Sequence, residues 1–422
     1  MKTTPYWWDD LTPFAAGAAT PPARADVVVI GSGYTGLNAA LQTARGGRHT
    51  VVMDASEIGW GCSTRNGGQI SISVKGSYAE LAERHGPARA EAIVREGQNS
   101  LAWAKEFVES EKISCELRES GRFHAAHNAA AYEALAEKVK AVPPHLAQEA
   151  YLIPRAEQHA ELGTDAYRGG VLYPRHLSVH PGLFHRGMLR LAQEAGVTLV
   201  PQCAAKGIER NGDGLVVHHA SGQTVARDVV VATNGYTGAL TPWLRRRVIP
   251  IGSSIIATEP IAPEVMARLM PCGRIISDSR KVVYYYRPSP NGTRIVFGGR
   301  VSANDAGPEK AGARLLAEVV RLFPELRGIG ISHSWGGYVA YTFDELMHTG
   351  THEGVHYAMG YCGSGVGMAG YLGTRLGQKV LGLAEGRTAF DDLPFPTRPY
   401  YFGTPWFVAP AIVYYRWADR RG

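Results

Sequence analysis

The stretch DVVVIGSGYTGLNAALQTARGGRHTVVMDAS, residues 26–56, decides the fold of this chain. Residues 26–30 form a short apolar run that is typical of a buried parallel strand, and Gly31, Gly33 and Gly36 follow it in G-x-G-x-x-G spacing. Small and apolar residues over 37–44 predict a helix, and Thr50–Met53 predicts a second strand. This order is typical of a βαβ unit whose glycine turn binds the pyrophosphate of a dinucleotide.

The residues around the turn indicate which dinucleotide binds. The first glycine permits the tight turn, the second lets the backbone approach the pyrophosphate, and the third brings the helix against the strand. We expect Tyr34 and Thr35 beside the pyrophosphate, because free N–H groups and the positive end of the dipole lie at a helix N-terminus. Asp54, followed by Ala55, stands about 20 residues further on, where a carboxylate binds a ribose hydroxyl and repels a 2′-phosphate. The unit therefore predicts FAD or NAD rather than NADP.

Two later strand ends also predict contact with the cofactor. The apolar run 229–232 ends in Thr233, Asn234 and Gly235, where small residues let the backbone come close. The loop 360–367 has four glycines in eight residues and leads into a helix whose N-terminus suits the N1/C2 edge of a flavin, which becomes negative on reduction. Nicotinamide enzymes need no such element, so the loop favours FAD. The expected contacts here are Gly363, Gly365, Val366, Gly367 and Met368.

Composition excludes several classes of protein. The chain has 422 residues, 45% hydrophobic and 19% charged, which is ordinary for a globular enzyme, and its net charge of +6 comes with no basic tract interleaved with aromatics. We therefore expect no nucleic-acid partner. Five cysteines without a C-x-x-C pair predict a reduced compartment and no metal site. No signal-peptide core and no apolar run of about 20 residues is present, so we expect a cytoplasmic protein without a transmembrane segment.

The order of the predicted strands and helices along the chain predicts an α/β (α+β) fold with two interleaved domains. A Rossmann-like FAD-binding domain is expected over residues 1–80, 165–247 and 342–422. A discontinuous substrate domain is expected over 81–164 and 248–341, where strands at 251–258, 282–287 and 293–299 form an antiparallel platform. In the first insertion the pattern predicts helices over 78–97 and 100–111. A ligand cleft is expected where the two domains meet.

The chain resembles the FAD-dependent amine and amino-acid oxidases of the D-amino-acid oxidase superfamily, and within them the gamma-glutamylputrescine oxidoreductases. The resemblance spans nearly the whole chain. It rests on the segments GSGYTG (31–36), WGCSTRNGGQ (60–69), YYYRP (284–288), GGR (298–300), WGG (335–337) and GYCGSGVG (360–367), and on the C-terminal tail.

The resemblance implies roles for further residues. The segment 61–69 would lie along the isoalloxazine ring, with contacts from Gly61, Ser63, Arg65, Asn66, Gly67, Gly68 and Gln69. Ala205 would hold the adenine side through its backbone. Val339 stands where sarcosine-oxidase relatives carry the cysteine that bonds the flavin, so the FAD is expected to be non-covalent. The basic residue that activates oxygen in those relatives falls near Ile295 and Val296, with Arg294 and Arg300 as substitutes.

The chemistry implied is hydride transfer from the α-carbon of a neutral amine to flavin N5, followed by imine hydrolysis and reoxidation by O2 to give H2O2. Aromatic walls are expected around the amine, with Tyr284, Tyr285, Trp335 and Tyr341 as candidates, and core packing is the competing explanation for each. The catalytic set predicted is Tyr285, Trp335, Arg65 and Gln69. Arg65 or Arg287 would bind a substrate carboxylate, or be structural.

Two other functions compete with this one. The first is an amine or amino-acid dehydrogenase that passes electrons to a quinone or carrier, for which the apolar tail 406–415 is the support. The second, of another class, is a non-catalytic flavin-binding scaffold. The identity of the amine, the acceptor and the oligomeric state are left open by the sequence.

Overall fold

The computed structural model describes residues 1–9, 11, 19–72, 74–212, 214–299 and 307–421, without the side chains of 420 and 421. The strands in chain order are β1 (Arg24–Ile30), β2 (Thr50–Met53), β3 (Gln69–Ile70), β4 (Arg122–Ala125), β5 (Tyr151–Ile153), β6 (Gly170–Tyr173), β7 (Leu177–Ser178), β8 (Thr198–Val200), β9 (Ala205–Asn211), β10 (Gly214–His219), β11 (Gly222–Val231), β12 (Ile249–Thr258), β13 (Ile275–Asp278), β14 (Tyr284–Pro288), β15 (Ile295–Gly299), β16 (Ile331–Tyr341), β17 (His348–His352) and β18 (Val355–Met359). The α-helices are α1 (Tyr34–Arg45), α2 (Tyr78–His85), α3 (Pro87–Ser110), α4 (Ala129–Lys140), α5 (Pro181–Glu194), α6 (Pro242–Arg245), α7 (Pro263–Leu269), α8 (Gly307–Leu322), α9 (Gly365–Val380) and α10 (Val408–Arg421).

The first sheet has the strand order β17-β18-β11-β1-β2-β8, with β10 and β9 attached to β11 as an antiparallel meander. Strands β8, β2, β1, β11 and β18 run parallel, as expected for strands whose residues are apolar on both faces. The chain moves outward from β1 to β2 and β8, and then returns to the other side of β1 with β11. The order of strands therefore reverses between β1 and β11.

Helices α1 and α9 lie against each other on this sheet, although they are more than 300 residues apart. A Cβ at Gly373 would be 2.4 Å from the Thr35 carbonyl oxygen, and one at Gly377 would be 2.7 Å from that of Ala39. Distances this short exclude any side chain, so the backbones of the two helices are in direct contact.

The second sheet has the order β16-β12-β15-β14-β13-β4-β6-β5 and is antiparallel except for the β13–β4 pair. One face is apolar and packs under α8, with Phe123, Tyr286, Phe297 and Leu315 fully buried. The opposite face points toward the glycine-rich segment 67–69. The antiparallel platform predicted from the sequence is confirmed.

Some element boundaries differ from those predicted. The helix expected over 78–97 ends at His85, because Gly86 has φ of +80° and Pro87 begins a new helix that continues to Ser110. Helix α3 contacts α9 of the first sheet layer, whereas β6 joins the second sheet. Helix α3 follows the predicted boundary at 80 but contacts the first layer, and β6 follows the predicted boundary at 164 but belongs to the second sheet. The division into domains stays a prediction.

Within the described residues, every helix is too short or too polar to cross a membrane.

Candidate functional site

The crevice between the ends of β1 and β11 is built for close backbone approach. Gly31 follows β1 with φ of +105°, and a Cβ there would be 3.0 Å from the carbonyl oxygen of Ala232, the residue after β11. A Cβ at Gly36 would be 1.8 Å from the Gly31 carbonyl oxygen. Sheets of this kind bind nucleotides at the carboxyl ends of the strands where the order reverses. Glycine is therefore required at both positions of the turn that follows β1.

Asp54, directly after β2, is bonded to this turn. Its Oδ2 accepts hydrogen bonds from the Ser32 backbone N–H at 2.9 Å and the Ser32 hydroxyl at 2.6 Å, and its Oδ1 accepts from the N–H of Ser56 at 2.9 Å. The backbone N–H of Cys203 donates to the Asp54 carbonyl oxygen at 2.7 Å, which brings the start of β9 and Ala205 toward the same end. The carboxylate expected on the ribose thus also holds the glycine turn.

The segment 59–69 lies beside the N-terminus of α1. The Ser63 hydroxyl accepts from the Tyr34 N–H at 2.9 Å, and a Cβ at Gly33 would be 2.8 Å from that same oxygen. Asn66 shapes the segment from within: its side chain donates to the Ser63 carbonyl at 2.9 Å and accepts from the Gly68 N–H at 2.8 Å. Hydrogen bonds within the protein therefore hold this segment against the glycine turn without any contact from the cofactor.

Arg65 is held between two indole rings. Its guanidinium carbon is 4.7 Å from the centre of the Trp8 ring and 4.4 Å from that of Trp60, and its Nε donates to the Trp60 carbonyl at 2.7 Å. Burial lowers the pKa of Arg65, which nevertheless stays charged near neutral pH. The indole N–H of Trp335 donates to the Arg65 carbonyl at 2.8 Å. Arg65 and Trp335, both in the predicted catalytic set, are thus joined by a hydrogen bond.

The face of the second sheet opposite α8 carries one row of residues across six strands, and Trp335 and Ile255 in this row are buried. The paired positions run in order through Trp335, Ile255, Gly298, Tyr285, Ser277 and His124. Residues opposite each other in a sheet point to the same face. A Cβ at Gly67 would be 3.1 Å from the Tyr285 ring, and one at Gly298 would be 2.3 Å from it. Tyr285 therefore occupies the space left by two glycines, facing the predicted flavin segment.

Gln69 completes the predicted catalytic set but bonds to backbone. Its amide donates to the carbonyl of Tyr286 at 3.2 Å and of Ile276 at 3.4 Å, which ties β3 to the second sheet. In this structure Gln69 joins the two layers.

Two sequence candidates have structural positions instead. Arg287 is 4% exposed and donates to the carbonyls of Val179 at 2.8 Å and Gly68 at 3.1 Å, and burial lowers its pKa to about 10. Tyr284 points to the opposite face and packs on Phe297, with ring centres 5.4 Å apart. These contacts favour the structural alternative for Arg287 and the core-packing alternative for Tyr284.

The loop before α9 approaches the same region from the other sheet. The Asn234 side chain accepts from the Gly360 N–H at 3.0 Å, which joins the end of β11 to the end of β18. Cys362 is fully buried with φ of +50°, its thiol donates to the Gly360 carbonyl at 3.2 Å, and burial raises its pKa to about 11. Gly363 is exposed with φ of +99°, and α9 begins at Gly365 without a side-chain cap. An uncapped helix N-terminus and an exposed glycine are thus available to a ligand.

Arg122, His124 and Ser277 form a polar cluster that the sequence prediction missed. Arg122 Nε donates to the Ser277 hydroxyl at 2.8 Å, and His124 Nδ1 is 2.8 Å from that same oxygen. The signal was present in β4, where Arg122 and His124 alternate with buried Phe123 and Ala125. Which residues stand beside that strand depends on sheet register, which the sequence does not reveal.

Comparison with known proteins supports the same assignment of fold. Residues 26–378 match the sequence model of the family described as DAO, FAD dependent oxidoreductase. A probable oxidoreductase OrdL of Rhizobium meliloti is 32% identical over 389 residues, covering 89% of this chain and 87% of the relative. Gamma-glutamylputrescine oxidoreductase of Escherichia coli is 29% identical and covers 94% and 93%.

Solved structures share the fold at lower identity. Glycine oxidase from Geobacillus kaustophilus superposes with a TM-score of 0.74 at 19% identity, covering 90% of this chain and all of that one. L-proline dehydrogenase from P. horikoshii gives a TM-score of 0.72 at 19% identity, covering 93% and 99%. The mixed α/β architecture predicted from the sequence is confirmed.

Proposed function

We propose that this chain, which belongs to the family of FAD-dependent oxidoreductases, oxidises a primary or secondary amine or amino acid. The proposal rests on Tyr285, because its ring fills the space beside Gly67, on the sheet face that points toward the predicted flavin segment. An aromatic face holds an ammonium or amine without supplying a charged base. The relative named for gamma-glutamylputrescine and the fold neighbours named for glycine and proline agree with an amine-type substrate.

The crevice fits FAD by the steric test of its glycines. Side chains at Gly31 and Gly36 would meet backbone atoms at 3.0 and 1.8 Å, so glycine at both positions lets the turn lie close to β11 and to α1, which is the geometry of a pyrophosphate-binding turn. Asp54 and the N-terminus of α1 would bind the ribose and the pyrophosphate, and the start of α9 would face the flavin edge. When bound, FAD supplies the acceptor for a hydride from the carbon beside the amine nitrogen.

The protein residues would position the amine without supplying a base. Tyr285 is fixed by a hydrogen bond of 3.0 Å between its hydroxyl and that of Ser253. Trp335 is fixed by its bond to the Arg65 carbonyl. Neither Cys62 nor His124 supplies a charged base at neutral pH, since burial raises the pKa of Cys62 to about 11 and lowers that of His124 well below its ordinary value. A positively charged amine therefore has to lose its proton to solvent before reaction, and turnover is expected to rise with pH.

We propose O2 as the electron acceptor, with hydrogen peroxide as product, and non-covalent attachment of the FAD. The oxygen-activating position expected from the resemblance is filled by Ile295 and Val296. Of its two expected substitutes, Arg294 donates to the Thr258 carbonyl at 2.7 Å, and Arg300 lies outside the described residues. A cytoplasmic location is also proposed, since five free cysteines suit a reducing compartment.

The test is anaerobic mixing of the yellow holoenzyme with a panel of amines and amino acids while the flavin absorbance is followed. Bleaching by an amine supports the proposal, and no bleaching by any member of the panel overturns it. Admission of air then separates an oxidase, which reoxidises faster than free reduced flavin, from a dehydrogenase that needs a quinone or carrier.

Two variants test the role of Tyr285 within that experiment. Tyr285→Leu should slow bleaching about five- to thirty-fold, the effect of losing an aromatic contact to a cation or amine. The matched control is Tyr284→Leu, one residue away on the opposite face, which should lower stability and leave the bleaching rate of the folded fraction unchanged. Equal rates in both variants would remove Tyr285 from the site.

A further inference from the structure

We propose that the C-terminal segment docks on the surface of an anionic lipid bilayer. This inference goes beyond the proposed function and does not depend on it, because the surface contains none of the candidate site residues. Among the described residues, seven of the thirteen large apolar side chains that are exposed lie within positions 400–417. This surface, the C-terminal face, consists of Tyr400, Phe402, Trp406 and, on α10, Val413, Tyr414, Tyr415 and Trp417.

Helix α10 carries large apolar side chains on the side that faces solvent. Val413, Tyr414 and Trp417 are spaced three and four residues apart, which puts them on one side of the helix, and they are 66%, 60% and 49% exposed. Ile412, on the opposite side, is 6% exposed. A helix on the surface of a globular protein normally turns its apolar side to the core. The apolar side of α10 instead points away from the protein.

Contacts within the protein hold the C-terminal face in this orientation. The Asp419 carboxylate accepts hydrogen bonds from the backbone N–H of Lys281 at 3.0 Å and of Val282 at 3.1 Å, which ties α10 to the segment between β13 and β14. Phe407, directly before the helix, packs on the buried ring of Tyr401, with ring centres 5.7 Å apart. Rotation of the helix to bury its apolar side would break these contacts.

The charge around the C-terminal face is positive. Residues 396–422 include four arginines and one acidic residue, Asp419, whose carboxylate is already bonded to backbone. Arg398 is exposed, and the guanidinium carbon of Arg246, directly after α6, is 4.7 Å from the centre of the Phe402 ring. An apolar surface flanked by arginines is complementary to a bilayer with anionic headgroups.

These features favour a bilayer over a second copy of the chain. Tryptophan and tyrosine have a large apolar ring with one polar end, which suits the boundary between headgroups and acyl chains. In a two-fold symmetric pair the same surface would meet itself. Two sets of arginines would then come together, and the one carboxylate of the segment is already used. A bilayer satisfies both the rings and the charges.

The binding test sediments the holoenzyme with vesicles of phosphatidylcholine alone and of an equal mixture with phosphatidylglycerol. The protein should bind the mixed vesicles much more tightly, and added salt should weaken that binding by screening the charges. Arg398→Gln should weaken it about fivefold, the effect of one basic residue near an anionic surface. Failure of the parent protein to sediment with the mixed vesicles would overturn the inference.

Two apolar variants and a matched control test the C-terminal face itself. Trp406→Ser and Tyr414→Ser should each weaken vesicle binding about tenfold, the effect of withdrawing a large apolar side chain that is partly buried in the bilayer. The control is Tyr151→Ser on β5, where the tyrosine is 51% exposed, and its binding should equal that of the parent. All three variants should keep the FAD content of the parent, which shows that they fold. Equal vesicle binding by Trp406→Ser, Tyr414→Ser and the control would contradict docking through this face.

Two further measurements separate the competing explanations. In sedimentation velocity without vesicles, a parent dimer that Trp406→Ser converts to a monomer would assign the face to a second copy and overturn the inference. Tryptophan fluorescence should be quenched by vesicles that contain brominated phosphatidylglycerol, and Trp406→Phe should remove part of the quenching. Sedimentation without quenching would mean adsorption by charge alone, which also contradicts docking of the apolar face.

Discussion

Replacement of Gly36 by alanine is the sharpest test of how the cofactor crevice is built. The new Cβ would be 1.8 Å from the Gly31 carbonyl oxygen and 3.3 Å from a methyl of Val29, whereas Cβ contacts below 3.0 Å are essentially never seen. Helix α1 would have to move about 1.2 Å from the turn, since 3.0 − 1.8 = 1.2. The atom met is backbone, so a side-chain rotation cannot relieve the clash.

The expected magnitude follows from two opposing terms. Overpacking of this kind costs up to about 3 kcal/mol, and alanine in a helix offsets about 1 kcal/mol of it, which leaves a net loss of roughly 2 kcal/mol in the free energy of unfolding. The same shift moves the N-terminus of α1 away from the pyrophosphate. Loss of one charge-assisted hydrogen bond there should weaken FAD binding about ten- to a hundred-fold.

Urea unfolding of the apoprotein and titration of FAD followed by flavin fluorescence measure the two effects. The matched control is Gly238→Ala, because a Cβ at Gly238 meets no atom within 4 Å and its φ is not positive. This control should stay within about 0.5 kcal/mol of the parent protein. The steric reasoning is refuted if Gly36→Ala behaves like the control in both measurements.

Three further predictions concern the cofactor and the histidines. Asp54→Ala should weaken FAD binding about ten- to a hundred-fold in calorimetry, and Asp54→Asn less, since an amide oxygen still accepts from Ser32; unchanged affinity in both would remove Asp54 from the ribose site. Acid or detergent should release the FAD into the supernatant, because Val339 cannot bond it and the Cys362 thiol is buried; flavin that migrates with the denatured chain on a gel would contradict this. His176 has its pKa lowered from 6.5 to about 3, so the unfolded chain binds a proton that the folded protein does not, and the free energy of unfolding should fall by about 1.4 kcal/mol per pH unit as the pH drops from 6.5 toward 3. Urea unfolding at several pH values measures this slope. His176→Phe should reduce the slope by the contribution of about one proton, and an unchanged slope would show that His176 titrates normally.

The sequence predicted the parts of the site that depend on local backbone geometry. Gly31 and Gly36 were identified because a tight turn and a close helix leave no room for a Cβ, and the spacing alone reports that. The sequence could not choose between the two roles of Arg287, because its partners, the carbonyls of Gly68 and Val179, are distant in the chain. Arg122 was missed for the complementary reason, since its neighbours are set by the register of β4 with β13.

The prediction of helix ends had the same limit. Gly86 and Pro87 together end α2 and begin α3, yet the apolar periodicity continues through them and favours one longer helix. Periodicity reports which face is buried, and it does not report that the chain changes direction. Turn chemistry was the better guide at this position.

The direct contact between α1 and α9 sets an order of events during synthesis. Helix α1 leaves the ribosome early, but the backbone surface at Thr35 and Ala39 that α9 covers stays bare until residue 380 has emerged. Domains fold as units when their parts are available, so the nascent chain carries an incomplete crevice for most of its translation. Loading of the flavin is therefore a late step, and a chain cut short before α9 would present that bare surface to chaperones and proteases instead of a cofactor site.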